Sequence, residues 1–398
     1  MSRRHRLDVA VVGGGVVGSS CALALSALGL EVALVEGVAP PRWQASQPDL
    51  RVYAFAADNA ALLQSLPSRD ASVWRDIRAA RAQAYRRMRV WDAAGGGELV
   101  FDADALGRGE LGWIVEHGLL VDRLWAALPG AGVQLHCPAR VEAAEQDADG
   151  VRLRLDDGAW VDARLVVAAD GAESTLRALV GLDVDRHDYA QRGVVAYVAT
   201  AQAHEDTAWQ RFLPGGPLAF LPCPDGSSSI VWTLPTEQAA RVLALDEAAF
   251  NAELTRAFDA RLGEVRLLSK RAAFPLRRQL AREYVAGRVL LLGDAAHVVH
   301  PLAGQGVNLG LRDVAALRDS VAAARQSRAD WTAPHRLARW ARERRSENAM
   351  AAHAFDGINR IFSNDAVAAT LVRGPLLGIA GRLPPLANAL WRRAAGTR

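Results

Sequence analysis

LDVAVVGGGVVGSSCALALSALGLEVALVE, residues 7–36, decides how the rest of the chain is read. Leu7–Val12 is a run of apolar, largely β-branched residues, the pattern of a buried parallel strand. Gly13 to Gly18 is expected as a turn. The small, apolar residues 19–28 are expected as a tightly packed helix, ended by Gly29. Residues 31–36 (EVALVE) make a second strand, completing a right-handed βαβ unit. The glycines follow the spacing Gly13-x-Gly15-x-x-Gly18. In such a turn the first glycine permits the bend, the second lets backbone approach a pyrophosphate, and the third lets helix pack on strand. The helix N-terminus adds unpaired N–H groups and partial positive charge. Glu36, at the end of the second strand, is placed to accept hydrogen bonds from a ribose diol. Strand, turn, helix and acid stand in the order that dinucleotide binding demands. They do not separate FAD from NAD.

Arg3 and Arg4 precede this stretch, but it reads neither as an export signal nor as a membrane span. Glycines and Glu31 interrupt it, and no small-residue cleavage site follows. A length of 398 residues gives room for two or three domains. With 51% apolar and 23% charged residues, wholesale disorder, a collagen-like fibre and a multispan membrane protein are excluded. Cys21, Cys137 and Cys223 are too scattered for a disulfide scaffold and imply a reducing compartment. Of 47 basic residues only Lys270 is a lysine, and the net charge is +3. The arginines are interspersed with acids, so nucleic acid is not expected as a partner.

Working outward, residues 58–89 are mixed and mostly helical. Gly95-Gly96-Gly97 and Asp156-Asp157-Gly158 each mark a hairpin. From about 181 to 271, strand-like runs (193–200, 208–213, 218–222, 228–234) are separated by Pro and Gly, and a helix is expected over 248–262. Residues 288–292 return to a buried strand. Val307, Leu311, Val314, Leu317 and Val321 mark one face of a helix. From about 330 onward the chain is expected to be helical. The fold class is therefore α/β. A discontinuous Rossmann-like nucleotide-binding domain takes residues 1–72, 103–180 and 272–330. A largely antiparallel substrate domain takes 73–102 and 181–271. A helical C-terminal region takes 331–398.

Two further motifs carry chemistry. Asp170-Gly171-x-x-Ser174-x-x-Arg177 reads equally as a capped helix start and as a ligand contact. Gly293-Asp294 follows a strand, at the end of an open sheet where ligands bind, and Asp294 can accept a bond from a sugar or ribitol hydroxyl. Pro301, Gly304, Gly306 and Gly310 then lead into the next helix, whose N-terminus suits an anion or a negatively charged ring. His297 and His300 lack a third ligand beyond Asp294, so a metal is not expected; a structural or ring-adjacent role is. With no Gly-x-Ser-x-Gly elbow, a hydrolase triad has no support.

In this order the three motifs resemble the FAD-dependent aromatic hydroxylases, the single-component flavoprotein monooxygenases. GDAAHVVHPLAGQGVNLGLRD (293–313) resembles more specifically the ubiquinone-biosynthesis hydroxylases. IVEHGLL (114–120), HDYAQRGVVA (187–196), RFLPGGPLAFLP (211–222) and ERRSENAMAAHAFDGINRIFSND (343–365) agree, so the resemblance covers essentially the whole chain. It implies a fold of the glutathione-reductase/p-hydroxybenzoate-hydroxylase type, with FAD as cofactor and NAD(P)H as co-substrate. It also implies O₂-dependent ring hydroxylation of a polyprenylated phenol through a flavin C4a-hydroperoxide. By position, Gly13, Gly15 and Gly18 would hold the FAD pyrophosphate, Glu36 the adenosine ribose, and Arg51 a phosphate or the ribitol. Asp170 and Gly171 would serve both FAD and NAD(P)H, and Asp294 the ribitol. Pro301, Gly304, Gly306, Val307 and Asn308 would wrap the flavin, with Val307 and Asn308 at its pyrimidine edge. The Pro301, Gly304 and Gly306 loop would support the oxygen adduct, and no catalytic base is identifiable.

Two departures stand out: His117 where relatives usually read asparagine, and Val121 where they usually have a glutamine. The apolar stretch 366–391, flanked by arginines, suits either a membrane surface or partner enzyme or packing on the protein's own core. The expected location is cytoplasmic, peripheral to the inner membrane. Competing readings are a hydroxylase of a soluble aromatic, an NAD-dependent dehydrogenase and a non-catalytic scaffold. The dehydrogenase leaves Asp170-Gly171 and residues 293–313 unexplained. NAD(P)H oxidation without a hydroxylated product would leave the scaffold reading open.

Overall fold

The computed structural model describes residues 6–69, 71–93, 97–300 and 305–362. The chain runs β1 (Leu7–Val12), α1 (Val16–Ser26), β2 (Val32–Val35), β3 (Val52–Phe55), α2 (Ala57–Ser65), α3 (Val73–Arg81) and β4 (Gln83–Tyr85). There follow β5 (Arg87–Asp92), β6 (Glu98–Asp102), β7 (Gly112–Glu116), α4 (His117–Ala127), β8 (Gln134–His136), β9 (Val141–Gln146), β10 (Val151–Leu155), β11 (Trp160–Ala168) and α5 (Thr175–Leu179). Next come β12 (Val184–Thr200), β13 (Thr207–Leu213), β14 (Gly216–Pro222), β15 (Ser228–Pro235), α6 (Thr236–Ala244), α7 (Glu247–Ala257) and β16 (Val265–Leu267). The described chain closes with β17 (Ala272–Ala281), β18 (Val285–Ala286), β19 (Val289–Leu291), β20 (His297–Val298), α8 (Gln305–Gln326) and α9 (Pro334–Phe362).

Among these residues the first sheet has the strand order β18-β19-β11-β1-β2-β8, with β10 and β9 added as antiparallel neighbours of β11. β1 is parallel to both β2 and β11, and β11 is parallel to β19. Parallel strands need cover on both faces. β1 is accordingly apolar at nearly every position, and Val9, Ala10 and Val11 are fully buried. α1 opens at Val16, earlier than the sequence suggests, so Gly18 lies inside the helix rather than in the turn. The stretch has no charge to cap or break it, and tight packing on β1 sets the boundary.

The second sheet runs β20-β17-β12-β15-β14-β13-β5-β6, with β16 beside β12. It is antiparallel except where β5 meets β13. Side chains alternate along β12. Val194, Ala196 and Val198 join the core built with α6 and α7 through Val242, Phe250 and Leu254. Tyr197 faces the other way, and its hydroxyl donates to the Asp49 carbonyl at 2.7 Å, fastening this sheet to the first unit.

The helix expected over 248–262 is present as α7, which Asp246 caps by accepting from Ala249 N and which ends at Ala257, while α6 before it is a further helix. The sheet extends past residue 271 through β17, and α3 packs Val73, Trp74 and Ile77 into the first core. β17 starts at residue 272 and α3 at residue 73, so each of these elements packs with the unit on the other side of its expected boundary. Within the described residues the C-terminal region is the single helix α9, and residues 366–391 lie outside them.

Candidate functional site

Parallel pairing brings four strand ends to one sheet edge. There β1 delivers Gly13, β2 delivers Glu36, β11 delivers Asp170, and β19 delivers the short turn Gly293–Ala295 with Asp294. Backbone bonds hold these ends together. Gly13 N donates to Val35 O at 2.8 Å, Ala169 N to Val12 O at 2.8 Å, and Leu292 N to Ala168 O at 2.9 Å.

The three glycines of the first turn do different work. A Cβ on Gly13 would lie 2.3 Å from the Ala169 carbonyl oxygen, and one on Gly18 would lie 1.9 Å from that of Gly13. Both positions are closed by backbone. A Cβ on Gly15 would meet nothing within 4 Å. Gly15 is the N-cap of α1, so the open space lies where the helix leaves its first N–H groups unpaired. Two residues hold the Gly14 peptide from opposite sides. Glu36 Oε2 accepts from Gly14 N at 2.6 Å, and Trp125 Nε1 donates to Gly14 O at 2.6 Å. Nothing local in the sequence marks Trp125, which arrives on α4 from 111 residues away.

Asp170 is engaged as a helix cap: Oδ1 accepts from Ser174 Oγ at 2.5 Å and Oδ2 from Leu176 N at 3.1 Å. Ser174 Oγ in turn accepts from Arg177 N. Buried Arg177 donates to the carbonyls of Ala172 (2.9 Å) and Ala295 (2.8 Å), tying this loop to the turn that carries Asp294. Gly171, at φ +85°, faces open space.

Arg51 lies exposed on the lip, its guanidinium 5.3 Å from the Tyr53 ring centroid. The Tyr53 hydroxyl is 3.0 Å from His117 Nδ1. Burial, with Arg51 adding to it, lowers His117 to about 4 against the pull of Asp49. Burial also raises the Tyr53 phenol. The pair is therefore neutral at pH 7. Val121, the other departure, is packed in the first core.

At the start of α8, a Cβ on Gly306 would meet no atom of the described residues within 4 Å. The side chain of Asn308 is buried and used for tethering. Its Oδ1 accepts from Ala56 N at 3.0 Å and Asn59 Nδ2 at 2.8 Å, and its Nδ2 donates to Ala54 O at 2.8 Å. Val307 is buried beside it. Pro301 and Gly304 lie outside the described residues.

The two histidines of the motif have different fates. His297 Nε2 lies 2.6 Å from Asp313 Oδ2. Asp313 also accepts from Gly293 N (3.1 Å), Arg344 Nε (2.8 Å) and Asn348 Nδ2 (3.0 Å). Burial pushes this carboxyl up, but His297, Arg344 and Asn348 outweigh it and hold it at about 2. His297 is thus one spoke of a structural hub. His300 is 1% exposed, and among the described residues neither ring nitrogen has a hydrogen-bond partner. Sequence spacing made the two look like a pair; only the packing separates them.

Known proteins match this chain along most of its length. A family described as FAD binding domain matches residues 73–355, and one described as FAD dependent oxidoreductase matches residues 8–98. The chain is 39% identical over 394 residues to "Ubiquinone hydroxylase UbiL" of Rhodospirillum rubrum, covering 98% of this chain and 90% of that protein. It is 38% identical over 360 residues to "3-demethoxyubiquinol 3-hydroxylase" of Escherichia coli, covering 90% of each. The crystal structure of p-nitrophenol 4-monooxygenase PnpA from Pseudomonas putida superposes with a TM-score of 0.77 at 22% identity, over 99% of both chains, a likeness of fold.

Proposed function

Because this chain belongs to the FAD-dependent hydroxylases of ubiquinone biosynthesis, we propose that the sheet edge described above is its FAD cleft and that the second sheet roofs the substrate. The protein is an FAD-dependent aromatic monooxygenase that uses O₂ and acts on a ubiquinone precursor, with NAD(P)H as co-substrate. Our finer reading of the substrate is a polyprenylated phenol.

The residues present fit FAD. The space beside Gly15 is the test, because backbone fills the Cβ positions of Gly13 and Gly18 but leaves that of Gly15 empty at a helix N-terminus. In this reading the α1 N-terminus binds the pyrophosphate. Glu36 keeps lone pairs for the ribose beyond those given to Gly14 and Val38. Asp294 takes the ribitol, with Arg51 and His117 on its flank. Asp170 acts at one remove, by fixing the loop that presents Gly171. The first N–H groups of α8, at Gly306 and Val307, face negative charge on the ring. Asn308 contributes by anchoring α8 rather than through its amide. When bound, FAD supplies the redox and oxygen chemistry; the protein orients both reactants and keeps water out.

Among the described residues no helix is long and apolar enough to cross a membrane. A lipid-like substrate supports peripheral contact with the membrane surface and with other enzymes of the route, which belongs to the same proposal. The observation that carries the reading is the convergence of Gly13, Glu36, Asp170 and Asp294 on one parallel edge. The test is purified protein incubated with NAD(P)H, O₂ and a prenylated phenol, read by mass spectrometry. A product heavier by one oxygen atom is expected; nucleotide oxidation without such a product would overturn the reading. Asp294→Ala is expected to purify largely without flavin, and full occupancy would remove Asp294 from the cofactor site.

A further inference from the structure

We propose that His300 is the residue that binds the phenolic hydroxyl of the substrate, accepting its hydrogen bond and so orienting the ring; this rests on the hydroxylase reading above. Three observations carry it. The first is that His300 is buried with both ring nitrogens unpartnered among the described residues. Buried polar groups are nearly always hydrogen-bonded, and an orphan points to a role in function or to a missing ligand. The second is position. His300 directly follows β20, the short strand on the edge of the second sheet, where the chain leaves that sheet for the N-terminus of α8. It therefore stands between the roof and the proposed flavin cleft. The third is its setting: the preceding residue, Val299, belongs to a buried apolar cluster, while the His300 ring itself meets a polar group. Val299, Leu309 and Ala352 form a small buried cluster with Phe355 packed against it. Phe355 also packs against a second cluster of Val90, Leu99 and Phe212. The polar group is Tyr189, whose ring lies edge-on to His300, 5.0 Å between centroids. Tyr189 donates to Asp356, which also accepts from Arg278.

The chemistry suits a phenol. Burial lowers His300 to about 4, against the pull of Asp356, so the imidazole is neutral at pH 7 and has one nitrogen free to accept. The Arg278–Asp356 pair balances its own charge and leaves the imidazole available. A hydroxyl aimed at that nitrogen fixes which ring carbon faces the flavin. His300 is in this sense a positioning residue, and no proton need leave the phenol for it to act.

The test compares the holoenzyme's affinity for a short-chain prenylated phenol and for its methyl ether, followed by the change in flavin absorbance. The ether keeps the ring and the prenyl chain, adds one methyl group and cannot donate. Wild-type protein is expected to favour the phenol by roughly tenfold, the worth of a buried hydrogen bond. His300→Phe and His300→Ala should bring the ratio near one, and His300→Gln, which can still accept, should restore part of it. A purely structural histidine would weaken both ligands alike and leave the ratio unchanged, which would overturn the proposal. A wild-type ratio near one would overturn it without any variant. If wild-type protein hydroxylates the phenol but discriminates no better than His300→Phe, this inference fails and the hydroxylase reading stands. If wild-type protein makes no hydroxylated product, the hydroxylase reading itself fails.

Discussion

At the scale of single residues, the glycine turn makes a prediction that separates folding from binding. Gly18→Ala would drive a methyl into the Gly13 carbonyl, backbone against backbone, with nothing flexible to yield. Forced overpacking of this kind costs about 1–3 kcal/mol or more, so a clear fall in melting temperature is expected. Gly15→Val adds more atoms but places them in open space. It should melt like the wild-type apoprotein while binding FAD much more weakly. Thermal melts of the apoproteins paired with FAD titration check both, and equal behaviour of the two variants would refute the assignment. The sequence made these glycines legible because their constraint is local. It could not rank them, since the atoms that close Gly13 belong to Ala169. Trp125 and the His117–Tyr53 pair were hidden for the same reason: their partners lie 111 and 64 residues away. Asp170 shows a further limit. Its motif permitted both a helix cap and a ligand contact, and the side chain does the capping.

At the scale of elements, α8 is the keystone. Asn308 ties its first turn to β3 and α2, and Gly310 lets it cross α1, where a Cβ would lie 2.6 Å from Val17 Cγ2. One turn further on, Asp313 binds the Gly293 turn, His297, Arg344 and Asn348. A single carboxylate thus sets the spacing between the Asp294 turn, α8 and α9. Asp313→Asn removes the buried charge facing Arg344, which is 5% exposed, and leaves it only the exposed Glu347 as an acidic partner among the described residues. Breaking a buried pair from one side costs about 3–5 kcal/mol. Chemical denaturation should show a loss of that order. Pairing it with Arg344→Met should recover part of the loss, and strict additivity of the two would argue against a coupled hub. The apolar period from Val307 to Val321 was readable because it is the helix's own pattern. The use of Asp313 was not, because an acid on a helix is ordinarily solvated.

At the scale of the molecule, a half-buried and a buried histidine make stability depend on pH. His117 and His300 both titrate near 4 in the folded protein, against 6.5 for an unperturbed histidine. Between those values the unfolded chain binds protons that the folded chain refuses, so acid favours unfolding. The stabilisation is intact above about pH 6.5 and drains away as pH falls toward 4, by about 3 kcal/mol for each group at most. Asp313, held at about 2, adds a further loss only below its ordinary range near 3.8. Melting temperatures measured from pH 7.5 to 4.5 should fall steeply below 6.5. His117→Asn should flatten that fall; a curve parallel to wild type would show that His117 takes no part.

The interleaving of the two sheets also governs how this protein is made. β5 waits for β13, more than a hundred residues later, before its open edge is paired. β11 gains β19, and β12 gains β17, only from the stretch 272–291. A chain leaving the ribosome therefore carries two unfinished sheets at once, and the same late stretch completes both. Unpaired edges of this length are templates for association with other chains. The nascent protein is expected to need a chaperone most until residues 272–291 have emerged, because neither sheet can close before then.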